Sequence, residues 1–312
     1  MKLSIPILFI LVLVACRAPQ SAMLDSSAPV YLPLVMVPRD LPRVGVEIAY
    51  VEYTRIADIY RGDFAKYSLA QSSVPVVSGI YDWAYYDRTI QNDGHRYLTF
   101  RGRTIDPLCK FPDFFTDYPA WLDWVMVGID RYHPQYVQFW NEPDTDYDGL
   151  AYHFGCIGED YAAGVLYGQY YNVFYQRVKA QHHDIMVLSG ELGWANADFI
   201  RGMFSTIEQT DGISFHHYAY CNSNYAANVT GIADMIDGLV DVPLYFSETS
   251  AIYEGEPNAE CEDYKAEYID WAMGQARFEI VVLFTLNRNG WMNSWLEDNP
   301  AYYVYAERMT ND

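Results

Sequence analysis

Eight times along this chain a short apolar run gives way to a longer stretch with helical spacing, and that alternation narrows the folds open to it. The runs are residues 44–48, 65–69, 95–100, 136–140, 185–189, 213–216, 244–247 and 280–284. They are continuous in β-branched, aliphatic and aromatic residues instead of alternating with polar ones, as strands covered on both faces must be. Helices are expected over 53–60, 83–90, 121–132, 161–181, 199–207, 229–239, 264–277 and 300–309. The third of these shows Trp121, Val125, Ile129 and Tyr132 at helical spacing, with Pro119 in its first turn. Eight strand–helix units are best closed as a (β/α)8, or TIM, barrel of one domain. A doubly wound open sheet is the alternative, and the Gly-rich phosphate turn such sheets often carry is absent from the sequence.

The barrel accounts for residues 44–312, and the start of the chain reads differently. Lys2 precedes an apolar run over 5–15 that is too short to span a bilayer and ends Leu13-Val14-Ala15-Cys16. Residues 1–15 resemble a bacterial lipoprotein signal, with Cys16 as the lipidated first residue; an ordinary secretory signal cut nearby is the other reading. Either way an exported protein is expected, tied to the cell envelope by a lipid or secreted. Residues 16–43, rich in Ser, Ala and Pro from Ser21 on, are then a tether with no core of its own. Four cysteines remain, and loops after successive barrel strands are neighbours, so the expected disulfides are Cys109–Cys156 and Cys221–Cys261. The net charge of −21 argues against nucleic acid as a partner, because phosphate binding needs a basic face. The chain is expected to be a monomer.

In a parallel barrel, chemistry sits at the C-terminal ends of the strands. The fourth strand runs into Trp140-Asn141-Glu142-Pro143-Asp144, where Pro143 has no amide hydrogen to continue a ladder and favours extended backbone at Glu142. The seventh strand runs into Glu248-Thr249. Two carboxylates facing each other across one mouth are what glycosidic bond cleavage needs: one to protonate the leaving oxygen, the other to attack the anomeric carbon or to activate water.

With these motifs the chain resembles the glycoside hydrolases of clan A, retaining barrels with glutamates on strands four and seven, and most nearly the β-xylosidase-like families. The resemblance runs from Val44 onward and includes the WNEPD and YFSET stretches, Gly79-Ile80-Tyr81-Asp82-Trp83, Arg131-Tyr132 and the segment from Asp211 to Tyr218. It implies Glu142 as general acid/base and Glu248 as nucleophile, Asn141 bonding the sugar 2-hydroxyl, Tyr218 touching the nucleophile and His216 lining the mouth. A carbohydrate substrate follows, and neither a metal nor an organic cofactor is required. Strand parity turns His217 outward as a packed histidine. Asp144, Asp146, Asp148 and Gly149 begin like a calcium loop, but Gly155 stands where the bidentate acid belongs, so an acidic loop is expected.

The sequence departs from the clan in two places. The arginine usual at the end of strand two is matched by Leu69, leaving Arg101 or Arg103 on strand three as substitutes. The tryptophan usual after strand eight is missing from Thr285-Leu286-Asn287, leaving Trp291 or Trp295 to cover the sugar. Glu47 and Glu191 end strands one and five, where substrate contact and salt bridging are both open. A carbohydrate-binding protein without activity and a transglycosylase are the alternatives to a hydrolase.

Overall fold

The computed structural model describes residues 41–47, 64–70, 76–77, 80–87, 90, 96–101, 111–145, 159–253, 258–284, 296 and 300–311. All belong to one compact unit, Arg39–Asp312. In chain order the strands are β1 (Arg43–Glu47), β2 (Phe64–Ala70), β3 (Val76–Val77), β4 (Ile80–Tyr81), β5 (Arg96–Arg101), β6 (Tyr136–Phe139), β7 (Met186–Leu192), β8 (Ile213–Tyr220), β9 (Leu244–Ile252) and β10 (Ile280–Leu283). The helices are α1 (Ala84–Asp87), α2 (Phe111–Tyr132), α3 (Asp160–Gln181), α4 (Ala197–Phe204), α5 (Tyr225–Asp237), α6 (Ala259–Met273) and α7 (Pro300–Asn311). Eight strands, all but the short β3–β4 hairpin, form a closed barrel in the order β1-β2-β5-β6-β7-β8-β9-β10. Their pairings are parallel, and Arg43 to Val46 of β1 pair with Ile280 to Leu283 of β10 to close the ring.

Strand pleating sorts the side chains into two environments. Residues such as Leu69, Leu98, Val137, Phe246 and Val281 face the helices and belong to the hydrophobic core. The opposite parity fills the barrel with aromatic and polar groups, among them Tyr97, Tyr136, Tyr245, Lys66 and Gln138. On α2 the anticipated apolar face is buried, with Trp121, Val125, Ile129 and Tyr132 all at 4% exposure or less. That helix begins at Phe111, so Pro119 lies in its interior and not in its first turn. Pro112 occupies the first turn instead, and the aromatic face beyond Pro119 outweighs the ~3 kcal/mol an interior proline costs. The β3–β4 hairpin was not anticipated, because strands of two residues carry no periodicity. The expected helix over 53–60, the leader, the tether as far as residue 40, Arg103, Cys109, Cys156, Trp291 and Trp295 lie outside the described residues, while Arg43, expected in the tether, opens β1. Cys221 and Cys261 are bonded, S–S 2.02 Å.

Helices α3 and α4 meet through glycine. A Cβ on Gly202 would stand 2.0 Å from the carbonyl oxygen of Tyr161, and one on Gly164 would stand 2.1 Å from that of Phe199. Backbone cannot yield to such contacts without parting the helices, so Gly202→Ala should cost on the order of 2 kcal/mol or more. Gly231, on the exposed side of α5, faces open space, and a Cβ there would meet nothing within 4 Å. At that position Gly→Ala should stabilise by roughly 0.5–1 kcal/mol, because alanine loses less backbone entropy in a helix. Thermal melts of the two variants should therefore shift in opposite directions.

Candidate active site

The fourth barrel strand, β6, ends in strained backbone. Trp140 and Glu142 have φ of 70° and 46°, and Glu191, at the end of β7, has 54°. Non-glycine residues adopt this left-handed region only when their surroundings enforce it. Here the Trp140 amide donates to Phe100 O at 2.9 Å and the Glu142 amide to Glu191 O at 3.0 Å. The Glu142 carbonyl accepts from the Thr145 amide at 3.3 Å and from its hydroxyl at 2.9 Å. These bonds override the extended geometry that Pro143 favours at Glu142. Asp144 completes the turn: its buried carboxyl accepts from the amides of Gly193, Trp194 and Asn196 at 2.7, 3.2 and 3.1 Å. Burial pushes that carboxyl up to about 6, against the pull of the three amides. Asp144 thus clamps the loop after β7; Asp146, Asp148 and Gly155 lie outside the described residues.

Glu248 enters from β9, where a register shift between Phe215 and His216 of β8 skips Ser247 and sets Glu248 beside His216. A carboxyl oxygen of Glu142, a ring nitrogen of His216 and a carboxyl oxygen of Glu248 all lie within 4.8 Å of one another. His216 Nδ1 is 3.0 Å from Glu142 Oε1 and 3.5 Å from Glu248 Oε2, while Nε2 is 3.5 Å from Glu191 Oε1. Burial disfavours the imidazolium, yet Glu248, Glu142 and Glu191 together raise it to about 10. These contacts tie the three side chains into one hydrogen-bonded group. The Tyr218 hydroxyl donates to Glu248 Oε2.

A residue the sequence reading passed over supplies the remaining charge. Lys66 Nζ, fully buried, donates to Glu248 Oε1 at 2.7 Å, lies 3.2 Å from Glu47 Oε2 and pairs with Glu191 Oε1. Its signal was present: a lysine within the apolar strand FAKYSLA, on the parity of Ser68. Leu69 has the opposite parity and packs in the hydrophobic core, so no side chain at that position can reach the mouth. The cation beside Glu248 therefore comes from the middle of β2. Arg101 shares the inward parity of Thr99 and is half-buried, and among the described residues it makes no ion pair with Glu142 or Glu248.

Of the two glutamates left open, Glu191 is wholly buried and accepts from the Thr99 hydroxyl at 3.1 Å as well as from Lys66. Glu47 is 5% exposed and accepts from the Ser68 hydroxyl at 3.2 Å. Both therefore belong to the polar network around Lys66 beneath the mouth. Despite burial, His216 and Lys66 hold Glu248 well below the usual carboxylate range. Asn141 is half-buried at the mouth beside Glu142. His217 does turn outward, its Nδ1 3.3 Å from the Tyr268 hydroxyl on α6, and burial lowers it to about 4.

Solved structures share the barrel that carries this arrangement. A family 39 β-xylosidase from Caulobacter crescentus superposes with a TM-score of 0.59 at 15% identity, over 86% of this chain and 71% of the other. A psychrophilic family 10 endo-β-1,4-xylanase gives 0.59 at 12%, over 85% and 96%. The endo-β-1,4-mannanase of Cellulomonas fimi gives 0.59 at 11%, over 87% and 71%. The chain has the fold of these glycoside hydrolases. No protein-family model matches its sequence, and no curated protein does.

The network also sets how stability depends on pH. His216 is raised from 6.5 to about 10, so its stabilising contribution is complete below 6.5 and is lost as pH rises through 10. Glu248, held low, contributes in the other sense, above its usual 4.5 and lost in acid. The melting temperature should therefore fall between pH 6.5 and pH 10, and His216→Asn should flatten the fall over that window. Scanning calorimetry of both proteins at matched ionic strength reads the difference.

Proposed function

We propose that this protein is a retaining glycoside hydrolase of clan A acting on a β-linked glycan, with Glu142 as general acid/base and Glu248 as nucleophile. The observation that carries this reading is the approach of the two carboxyl groups to within 4.8 Å across one barrel mouth. A direct attack on the sugar needs carboxyls roughly 5–5.5 Å apart, whereas activation of an intervening water needs ~6.5–9.5 Å. In the first step Glu248 attacks the anomeric carbon while Glu142 gives its proton to the departing glycosidic oxygen. In the second, Glu142 takes a proton from water as that water displaces Glu248 from the anomeric carbon.

Other features support the same assignment. Glu248 is held anionic by Lys66, Tyr218 and His216, as a nucleophile requires. Asn141 stands beside Glu142 with an amide suited to the sugar 2-hydroxyl. Lys66 supplies a positive charge beside Glu248 although Leu69 stands where the clan's arginine is usual. We further infer export with a lipid anchor on Cys16, a reading the Cys221–Cys261 disulfide supports, since such bonds persist in oxidising compartments.

The roles predict different mutants. Glu248→Ala removes the attacking atom and should abolish turnover of every substrate. Glu142→Ala removes only proton transfer, so aryl β-glycosides with good leaving groups should still form the glycosyl-enzyme. Added azide should then release the sugar as a β-glycosyl azide. Azide rescue of the Glu248 variant to an α-product, with no rescue of the Glu142 variant, would mean the roles are reversed.

A further inference from the structure

Four carboxyl groups, Glu47, Glu142, Glu191 and Glu248, converge on two cations, Lys66 and His216. Four negative charges against two positive would leave uncompensated charge in a buried cluster, at several kcal/mol for each ion. Protons must therefore remain on some of the carboxyls, and the hydrogen bonds show where one of them sits. Glu248 accepts from Lys66 Nζ and the Tyr218 hydroxyl, and the His216 ring lies 3.5 Å away through Nδ1. On Glu47, by contrast, Oε1 accepts one hydroxyl hydrogen bond from Ser68 and the buried Oε2 has only the ion contact with Lys66, whereas Glu191, whose Oε2 is also buried without a hydrogen bond, takes Thr99, Lys66 and His216 on Oε1. Glu47 and Glu248 nonetheless meet at the same nitrogen, Lys66 Nζ, at 3.2 and 2.7 Å. Two carboxyl groups brought together at one cation can hydrogen-bond to each other only if one of them carries a proton.

We propose that Glu47 is a neutral carboxylic acid in the resting protein, and that its O–H donates to Glu248 and so positions the nucleophile. Its role as a positioning residue rests on the reading of Glu248 given above; the location of the proton does not. Every element packed around Glu47 fits this placement. β2 presents Lys66 and Ser68, β7 presents Glu191, β8 presents Tyr218 and β9 presents Glu248, whereas β10 presents only the apolar Ile280–Leu283. Burial first, and the charge of Glu248 second, push the Glu47 carboxyl up to about 8, with Lys66 opposing. Once that proton leaves, the donor to Glu248 becomes a like charge beside it.

Infrared difference spectroscopy tests where the proton is without relying on activity. Wild type minus Glu47→Gln should show the C=O stretch of a protonated carboxylic acid at neutral pH, and the band should vanish as pH rises through about 8. Kinetics test what the proton does. Glu47→Ala should lower kcat on aryl β-glycosides by about ten- to hundredfold, the worth of a hydrogen bond to a charged group. Glu47→Gln, whose amide N–H can replace the lost donor, should recover most of that loss. A difference spectrum without the acid band overturns the placement of the proton, and a Gln variant no better than Ala overturns the positioning role. If the wild type turns over no glycoside while the band is present, the glycosidase reading fails and the neutral Glu47 stands.

Discussion

The buried ammonium of Lys66 is the constraint on which the rest of the site depends. A lysine with no solvent exposure is tolerated only when its charge is compensated and its donors are used. Three strands, β1, β7 and β9, each turn a glutamate toward that one nitrogen. Around that centre the barrel interior is polar and hydrogen-bonded. Tyr97 and Ser214 both donate to Gln138 Oε1, at 3.0 and 2.7 Å, and Ser214 Oγ accepts from the Glu191 amide at 2.8 Å. Removing one member would leave its partners buried and unmatched, so the network holds the strand ends in one arrangement.

That arrangement bears backbone strain that the helices outside the barrel help to hold. The left-handed residues Trp140, Glu142 and Glu191 lie on two adjacent strand ends. Between them the Tyr167 hydroxyl of α3 donates to Phe139 O and accepts from the Gly190 amide, both at 2.9 Å. Gly190 itself has φ of 92°, and a Cβ there would meet Ser214 O at 2.6 Å, so both its conformation and its surroundings require glycine. The close approach of α3 to α4 seats Tyr167 over these strand ends, so a packing choice among glycines reaches the acid at the mouth.

The barrel was legible in the sequence because each strand is a short, continuous apolar run and each helix a longer periodic one. Both glutamates at the mouth were legible because they end such runs beside a proline or a threonine. What escaped was information carried by parity and by backbone. Lys66 was hidden because the residue sought near the nucleophile was expected at the strand end, whereas the charge enters from mid-strand on the other face. The conformation of Glu142 was misjudged because Pro143 acts locally, whereas the bonds to Glu191 and Thr145 come from tertiary structure. Pairwise rules along the chain do not contain that second kind of constraint.

The unequal treatment of the two mouth carboxyls follows from the same network. Glu248, with 7% of its side chain exposed, takes donors from Lys66 and Tyr218, whereas Glu142, at 17%, has His216 alone as its side-chain partner among the described residues. A nucleophile must stay ionised and fixed, and a buried carboxylate with several donors is both. An acid/base must instead gain and lose a proton in every cycle, which requires contact with the substrate oxygen and with water. The more exposed group, tied down on one oxygen only, meets that requirement. The division of labour proposed for Glu142 and Glu248 thus rests on how deeply the barrel draws each one toward Lys66.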